Sequence, residues 1–201
     1  MIRTLQLLAF SILLVCSAQA QTPAADAQKE VSDTINQVKT IVSTNAGKLN
    51  PAELDKKIED VLLPKFDFEQ MSKSSLGAGW KKATPEQQQE FIKLFTSLLS
   101  HSYLEKIRKN IEKSEVTFHP TTINDEGRII VHCNVVADGQ SVSIDYRIYK
   151  KDTGYKVYDV MVENIGLVSN YRSEFSGLLD QGNFEALLKK LREQVAKVSA
   201  G

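Results

Sequence analysis

Apolar residues recur with a helical period through the first half of the chain and predict helices there. The first predicted helix covers about residues 26–45, and its apolar stripe is Val31, Ile35, Val38 and Val42. Asn50 predicts the start of a second helix, because it stands before Pro51 with Glu53 in the capping-box position. Pro64 ends this helix, since proline lacks the backbone donor that the next turn requires.

A third helix is predicted after a glycine-rich break at residues 77–80. Thr84, Pro85 and Gln87 repeat the capping pattern, and the helix extends to about Ser114. Its apolar stripe consists of Phe91, Leu94, Phe95, Leu98, Leu99, Tyr103 and Ile107. A short amphipathic turn before the break contains Phe66, Phe68 and Met71.

The apolar period changes from helical spacing to two beyond this helix, which predicts strands. A short strand begins at Val116 and Phe118, and the Asp138-Gly139 pair predicts a hairpin turn. The strands on either side of that turn carry apolar faces of Ile129, Val131, Cys133, Val135, Val142, Ile144, Tyr146 and Ile148. In a fourth strand, strict alternation places Tyr158, Val160 and Val162 opposite Val157, Asp159 and Met161.

Helical spacing returns after the strands, at Leu167, Tyr171, Phe175 and Leu178. Gly182 is expected to end that helix, and Asn183 to cap the last one. The order predicts one α+β domain over residues 21–201, helical at 26–115, sheet at 116–165 and helical at 166–198. We expect an antiparallel meander of about four strands, covered by helices on one face.

The first twenty residues have the pattern of a signal peptide. Arg3 precedes a short apolar run, and Ala18-Gln19-Ala20 supplies the small residues of a cleavage site. A lipoprotein signal at Cys16 is the alternative, but the bulky Val15 before it fits that pattern poorly. Cleavage after Ala20 predicts a periplasmic protein if the source is a Gram-negative bacterium.

Composition excludes some function classes. The chain has 25 basic and 25 acidic residues, which argues against a dedicated nucleic-acid binder. Its three histidines, His101, His119 and His132, have no metal-site spacing, and no nucleophile elbow, P-loop or dinucleotide motif occurs. Cys133 is the one cysteine after the predicted leader, and its phase with Val131 predicts a buried position.

Asp159 is the one acidic residue with a candidate catalytic position, in the middle of an apolar strand. Either Asp159 or the neighbouring Asp145 could act as a general base, or Asp159 could simply bind a helix N-terminus or an arginine such as Arg172. The apolar faces of sheet and helices leave a second question open. They form either an ordinary core or the wall of an apolar pocket, and periodicity alone does not separate these readings.

Two stretches carry motifs in a specific order. The first is residues 62–71 (LLPKFDFEQM), followed by Leu76-Gly77, Trp80, residues 84–87, Phe91, Phe95 and Tyr103. The second is residues 157–163 (VYDVMVE), followed by Leu167-Val168, residues 170–172 and Phe175. In these residues the chain resembles the MlaC family, also called toluene-tolerance proteins, over nearly the whole mature length. It departs from the family at Asn164-Ile165-Gly166, where Gly, an aliphatic residue and Ser are usual.

The resemblance implies a periplasmic phospholipid carrier with a strongly curved sheet, similar to the nuclear-transport-factor-2-like fold. It implies acyl chains held between sheet and helices, with phospholipid as cargo and no cofactor. The implied partners are an inner-membrane MCE-domain ABC transporter complex and an outer-membrane lipoprotein–porin complex, which a monomer would visit in turn. Alternation and motif position together predict the pocket wall at Phe66, Phe68, Met71, Phe91, Phe95, Leu98, Leu99, Val131, Val135, Val142, Ile144, Tyr146, Tyr158, Val160, Tyr171 and Phe175.

Two other functions remain open from the residues alone. A small-molecule enzyme on a cone-like fold would use Asp159 or Asp145 as its base and would need a tyrosine within hydrogen-bond reach. A structural adaptor would bind partner proteins through its helices and would have a well-packed core without a pocket.

Overall fold

The computed structural model describes residues 22–180 and 183–199. The predicted signal peptide, with Cys16 and its cleavage site, and the predicted stop at Gly182 lie outside these residues. Within them the chain forms six α-helices: α1 (Pro23–Asn45), α2 (Pro51–Leu62), α3 (Phe68–Leu76), α4 (Pro85–Asn110), α5 (Leu167–Asp180) and α6 (Phe184–Ser199).

Local sequence signals determine where these helices begin. The capping boxes of α2 and α4 are confirmed, because Asn50 and Thr84 accept from the backbone N–H of Glu53 and Gln87. The cap of α6 is confirmed as well, since Asn183 accepts from the N–H of Ala186 at 2.9 Å. The segment predicted as a short turn is instead the nine-residue helix α3, flanked by 3₁₀ helices at Leu63–Lys65 and Gly77–Lys82.

The strands form one antiparallel sheet. Their bounds are β1 (Glu115–Phe118), β2 (Thr122–Ile123), β3 (Ile129–Ala137), β4 (Gln140–Lys151), β5 (Gly154–Val162) and β6 (Ile165–Gly166). Both β1 and β2 pair with β3, so they act as one edge strand interrupted around Pro120, which has no N–H to donate. The predicted meander is confirmed from β3 to β5, and the two-residue strands β2 and β6 are additions to it.

A β-bulge in β5 breaks the predicted alternation. Arg147 pairs with Asp159 but Ile148 pairs with Val157, so Tyr158 is the extra residue of β5. Val157 therefore points to the same face as Val160, and the prediction that Tyr158 shares a face with Val160 is wrong. The Tyr158 ring instead packs on Tyr149, with their centroids 5.4 Å apart, on the opposite face.

The two faces of the sheet differ in character. The inner face carries Ile129, Val131, Cys133, Val135, Val142, Ile144, Tyr146, Ile148, Val157 and Val160, all of which share one side by the strand register. The outer face carries His132, Asn134, Asp145, Arg147, Tyr149 and Tyr158. Helix α1 packs on the inner face, α3 and α5 contact β5, and the main contacts of α4 are with α2, α3 and α6. The expectation that helices cover one face is therefore confirmed.

The buried apolar residues are divided among three clusters. The sheet cluster joins α1 to the inner face through Ala27, Val31, Ile129, Val131, Ile148 and Val157. The helix cluster joins α3, α4, α5 and α6 through Met71, Leu76, Phe91, Phe95, Leu98, Leu99, Val168, Phe175, Leu187, Leu188 and Leu191. A third cluster joins α1, α2 and α4 through Val38, Val42, Leu54, Ile58 and Leu104. Phe66 packs against both the sheet cluster and the helix cluster, which makes it the apolar link between the two layers.

The departure from the family pattern lies in the tight turn between β5 and β6. Glu163 and Asn164 both have positive φ, 50° and 64°, and asparagine tolerates this conformation better than most residues. A Cβ on Gly166 would lie 2.9 Å from the Ser169 hydroxyl and 3.2 Å from an Asp159 carboxylate oxygen. Asn164 therefore suits this turn, and any side chain at position 166 would have to displace the Ser169 or Asp159 side chain.

Candidate functional site

The inner face of the sheet is closed at one end. Ile129, Val131 and Ile148 are each at most 2% exposed, and α1 covers them with Ala27 and Val31. Lys65 also bridges to Glu30 of α1 at 2.5 Å, next to Phe66. We call this part the closed end, because helix and sheet leave almost no apolar surface uncovered there.

The opposite part of the inner face keeps accessible apolar surface, and we call it the open end. Val135 pairs with Val142, and both side chains have intermediate exposure. Ile144 has intermediate exposure as well, and Val162 beside it in the register is 41% exposed. Ile165, just across the β5–β6 turn, is 64% exposed. Apolar residues at neighbouring strand positions thus form a partly uncovered strip on the same face that α1 closes.

Tyr146 lies between the two ends. Its register partners are Val131 of β3 and Val160 of β5, and it packs against the sheet cluster. Burial raises the pKa of its phenol strongly, yet the side chain keeps intermediate exposure. Tyr146 is therefore less completely buried than Ile148, the next inner-face residue of β4 toward the closed end.

The predicted wall residues on the helices form a packed aromatic group. The Phe91 and Phe175 rings meet edge to face with centroids 5.7 Å apart, and the Phe95 and Tyr171 rings do so at 5.0 Å. Phe91, Phe95, Phe175 and Met71 are fully buried. Burial raises the pKa of Tyr171 to about 12. These residues are brought together by the fold in the helix cluster, apart from the sheet residues with which they were predicted to form one wall.

Phe66 and Phe68 lie where the two groups meet. Their rings stack with centroids 5.6 Å apart, and the Phe66 backbone forms a bridge with Val157 of β5. The predicted wall therefore consists of a sheet part and a helix part that join at Phe66. Contact of any of these side chains with a ligand stays a prediction.

An acidic anchor next to Phe66 fixes the start of α3 to strands β4 and β5. Asp67 is 8% exposed, caps α3 through the N–H of Gln70, and receives the Lys151 ammonium at 2.5 Å and the Tyr149 hydroxyl. Burial alone would raise the pKa of Asp67, but the hydrogen bonds from Lys151, Tyr149 and Gln70 outweigh it and hold the pKa below its usual value. The backbone N–H of Asp67 also donates to the carbonyl of Val157 at 2.8 Å.

Sequence reasoning missed this anchor. The spacing of Asp67 and Gln70 is a capping signal that could have identified the start of α3. No signal in a single sequence connects Asp67 to Tyr149, since the two lie 82 positions apart.

Asp159 is engaged in structural hydrogen bonds. It is 6% exposed, and one carboxylate oxygen accepts from the N–H of Val168 at 3.0 Å and from its own neighbour Val160 at 2.9 Å. The other oxygen lies 3.5 Å from the Arg147 guanidinium. The expectation of a helix N-terminus and an arginine is confirmed, but the arginine is Arg147, since Arg172 donates to the carbonyl of Ser74. Asp159 points away from the inner face and positions the start of α5.

The remaining candidates have local partners. His132 accepts or donates through Nδ1 with Asp145 at 2.8 Å on the outer face and through Nε2 with Thr122 at 3.1 Å. Cys133 is 1% exposed on the inner face, which confirms its predicted burial, and that burial raises the pKa of the thiol to about 11.

Among the residues that the structure describes, no helix is both long enough and apolar enough to cross a bilayer.

Comparisons with known proteins agree on one family. A family model described as "MlaC protein" matches residues 32–193. The intermembrane phospholipid transport system binding protein MlaC of Haemophilus influenzae is 21% identical over 154 residues, which are 75% of this chain and 72% of that protein. A solved structure of a phospholipid-binding protein from Ralstonia solanacearum, in complex with a phospholipid, is 26% identical and superposes with a TM-score of 0.72. The superposition covers 88% of this chain and 98% of the Ralstonia chain.

Proposed function

This chain belongs to the MlaC family, and from that we propose that it is a periplasmic carrier that moves phospholipid between the outer and inner membranes. The observation that carries the proposal is the likeness to the Ralstonia protein, whose solved structure contains a bound phospholipid. The likeness extends over nearly the whole of that chain, so the two proteins share one fold.

The inner face of the sheet supports the proposal. A protein whose only need were a stable core would gain by covering the open end, because buried apolar surface stabilises by about 25 cal/mol per Å². Val135, Val142 and Ile144 instead keep accessible surface on the face that points toward the helices. We propose that the acyl chains of the cargo cover this strip and extend toward Phe66, while the head group stays in water.

The cost of moving a lipid through water explains why a carrier is needed. Each exposed CH₂ group costs about 0.8 kcal/mol, so a diacyl lipid of roughly 30 such groups faces on the order of 20 kcal/mol. Enclosing the chains removes most of that barrier without any covalent chemistry. In this proposal the phospholipid is cargo, no cofactor takes part, and the carrier is not an enzyme. The contacts of Asp159 support the proposal that the carrier is not an enzyme. One of its carboxylate oxygens accepts hydrogen bonds from the N–H groups of Val168 and Val160, and the other lies against Arg147.

The carrier would exchange lipid with a complex in each membrane. We propose that it acts as a monomer and docks in turn on an inner-membrane MCE-domain ABC transporter complex and an outer-membrane lipoprotein–porin complex. The equal numbers of basic and acidic residues support docking on proteins, since no large positive field would hold the chain on an anionic bilayer.

The proposal is tested with two neighbouring valines of β3. Val135 lies on the inner face at the open end, and Val136 pairs with Ser141 on the outer face. Val135→Glu would place a carboxylate against the acyl chains, whereas Val136→Glu would place it in solvent. Protein purified gently from the periplasm is extracted with organic solvent, and the phospholipid per protein is measured by mass spectrometry.

We expect wild type and Val136→Glu to release phospholipid in similar amounts, and Val135→Glu to release little. The melting temperatures of both variants are measured alongside, so that loss of lipid is separated from loss of fold. Repeated absence of lipid from wild type would refute the carrier proposal. Equal lipid in the two variants would leave the carrier proposal standing but would refute the placement of the chains on the open end.

A further inference from the structure

The buried face of α3 contains two hydroxyl groups that have no hydrogen-bond partner. The buried residues of this nine-residue helix are Met71, Ser72, Ser75 and Leu76. Ser72 and Ser75 are both 0% exposed, and within residues 22–180 and 183–199 neither Oγ atom shares a hydrogen bond with another group. By the helical period the two serines lie in the middle of the buried face, with Met71 and Leu76 at its two sides. The centre of this helix contact therefore carries unpaired polar atoms.

These hydroxyl groups weaken the packing of α3. A buried hydroxyl without a partner has lost its hydration and gained no hydrogen bond in return, so it costs free energy until water reaches it. A helix as short as α3 also depends on its packing rather than on its own backbone hydrogen bonds. No other helix within the described ranges carries two such atoms. Separation of α3 from its neighbours would hydrate both hydroxyls, which lowers the cost of that movement.

Helix α5 is the main neighbour of α3. We call their contact the seam, and we include in it the 3₁₀ helix at Gly77–Lys82 that follows α3. Arg172 of α5 holds the seam closed at the surface, because its Nε donates to the carbonyl of Ser74 at 2.7 Å and its Nη2 donates to the same oxygen. Further along α5, Leu179 packs closely on Gly79, where an added Cβ would lie 2.9 Å from a methyl carbon of the leucine.

Both helices of the seam are fixed to the sheet at their first turns. Asp67 joins the start of α3 to β4 and β5, and Asp159 of β5 accepts from the N–H of Val168 at the start of α5. Helix α3 also begins directly after Phe66, which links the sheet cluster to the helix cluster. The seam can therefore open beyond these anchors while the sheet stays intact, and the opening lies beside the junction of the two clusters.

We propose that the lipid enters and leaves the carrier through the seam between α3 and α5. This inference rests on the proposed carrier function and adds a route and positioning residues to it. Hydration of Ser72 and Ser75 lowers the cost of opening, and Arg172 holds the seam closed between exchanges. Opening uncovers apolar side chains of both helices, such as Met71 and Phe175, and entering acyl chains replace the contacts that these side chains lose.

The first experiment locks the seam with a reversible bond. Gly79→Cys and Leu179→Cys are combined in a Cys133→Ser background, because an added Cβ at position 79 lies 3.3 Å from the Leu179 Cγ, close enough for a disulfide. The carrier is loaded with a fluorescent phosphatidylglycerol, and transfer to dioleoyl phosphatidylcholine vesicles is followed. We expect transfer at least roughly 10-fold slower from the oxidised variant than from the same sample reduced with dithiothreitol, since the closed seam blocks the route.

The two single-cysteine variants are the controls, and their transfer rates should not respond to oxidation. Equal rates in the oxidised and reduced double variant, with the disulfide verified by mass spectrometry, would overturn the route while the carrier proposal stood. Failure of wild type to hold or transfer lipid would overturn both.

The second experiment tests the serines without a crosslink. Ser72→Ala and Ser75→Ala together remove the unpaired hydroxyls, so the double variant should melt at a higher temperature than wild type and transfer lipid about 10-fold more slowly. Ser100→Ala is the matched control, because Ser100 is a buried serine of α4 whose hydroxyl donates to Glu59. It should melt at a lower temperature and transfer lipid at the wild-type rate. A double serine variant that transfers lipid as fast as wild type would overturn the role of Ser72 and Ser75.

Discussion

The two ends of the inner face are built from the same residue types and differ in what covers them. Ile148 and Ile144 lie four positions apart on the same strand and point to the same side. Ile148 is 1% exposed beneath α1, whereas Ile144 keeps intermediate exposure beside Val162. Apolar character alone therefore does not distinguish a fully buried core residue from one that keeps accessible surface. The distinction comes from the position of α1, which ends its cover of the sheet between these two residues.

The two ends of the inner face therefore have different roles. The closed end has a helix over it, an ion pair from Lys65 to Glu30, and the Asp67 anchor beside it, so it supplies stability. The open end has apolar surface with partial cover, so in the carrier proposal it supplies binding.

The largest effect is expected from truncating one isoleucine at each end. Ile148→Ala should lower the free energy of unfolding by about 3 kcal/mol, because it leaves a cavity in a packed region. Ile144→Ala should cost well under half as much in the delipidated protein, since its surroundings are already partly open. Urea denaturation of both variants measures the two values. Equal losses would show that the ends are packed alike.

The Asp67 anchor gives the next largest effect. Asp67→Asn removes the charge that Lys151 and Tyr149 bind, and should destabilise the protein by about 2 kcal/mol at neutral pH. Lys29→Ala is the control, because it removes an exposed ion pair with Asp33 on the surface of α1 and should change stability little.

The anchor also predicts a pH dependence. The pKa of Asp67 lies below its usual value in the folded protein, so its contribution is complete above the unfolded-state pKa of about 4 and is lost as pH falls through the lower folded value. The difference in the free energy of unfolding between wild type and Asp67→Asn should therefore shrink as the pH falls from neutral to acidic. Denaturation at several pH values measures it. A difference that stays constant down to acidic pH would contradict this role of the carboxylate.

The smallest effect concerns Cys133 and its alkylation rate. Cys133 pairs with Ile144 but is 1% exposed, which assigns it to the closed end. Only the thiolate reacts, and a pKa of about 11 means that the rate should still be rising at pH 10. Removing lipid should change this rate little. A thiol placed by Val135→Cys in a Cys133→Ser background should become much more reactive when lipid is removed, as measured by mass spectrometry.

The parts of the fold that local signals encode could be predicted from the sequence. Asn50, Thr84 and Asn183 mark helix starts because their side chains bond backbone groups three residues away, and such contacts need no knowledge of the rest of the chain. The alternation in β3 and β4 predicts which residues lie on the inner face and which on the outer face, because the period of two is unbroken there.

The parts that depend on contacts distant in sequence could not be predicted. The bulge at Tyr158 moves one aromatic residue to the outer face and brings Val157 inward, and nothing in residues 155–162 distinguishes that arrangement from strict alternation. The wall prediction included Tyr158 and omitted Ile129, Ile148 and Val157, the residues on which α1 packs. The division between closed and open ends follows from where α1 lies, which the periodicity of the strands does not contain.

Photocrosslinking determines whether acyl chains lie on the open end of the inner face. Protein is loaded with a phospholipid that carries a diazirine in one acyl chain, irradiated, digested and analysed by mass spectrometry. We expect adducts on Val135, Val142, Ile144 and other inner-face residues toward Phe66. Adducts concentrated on the outer face, at Asn134, Asp145 or Tyr158, would contradict it.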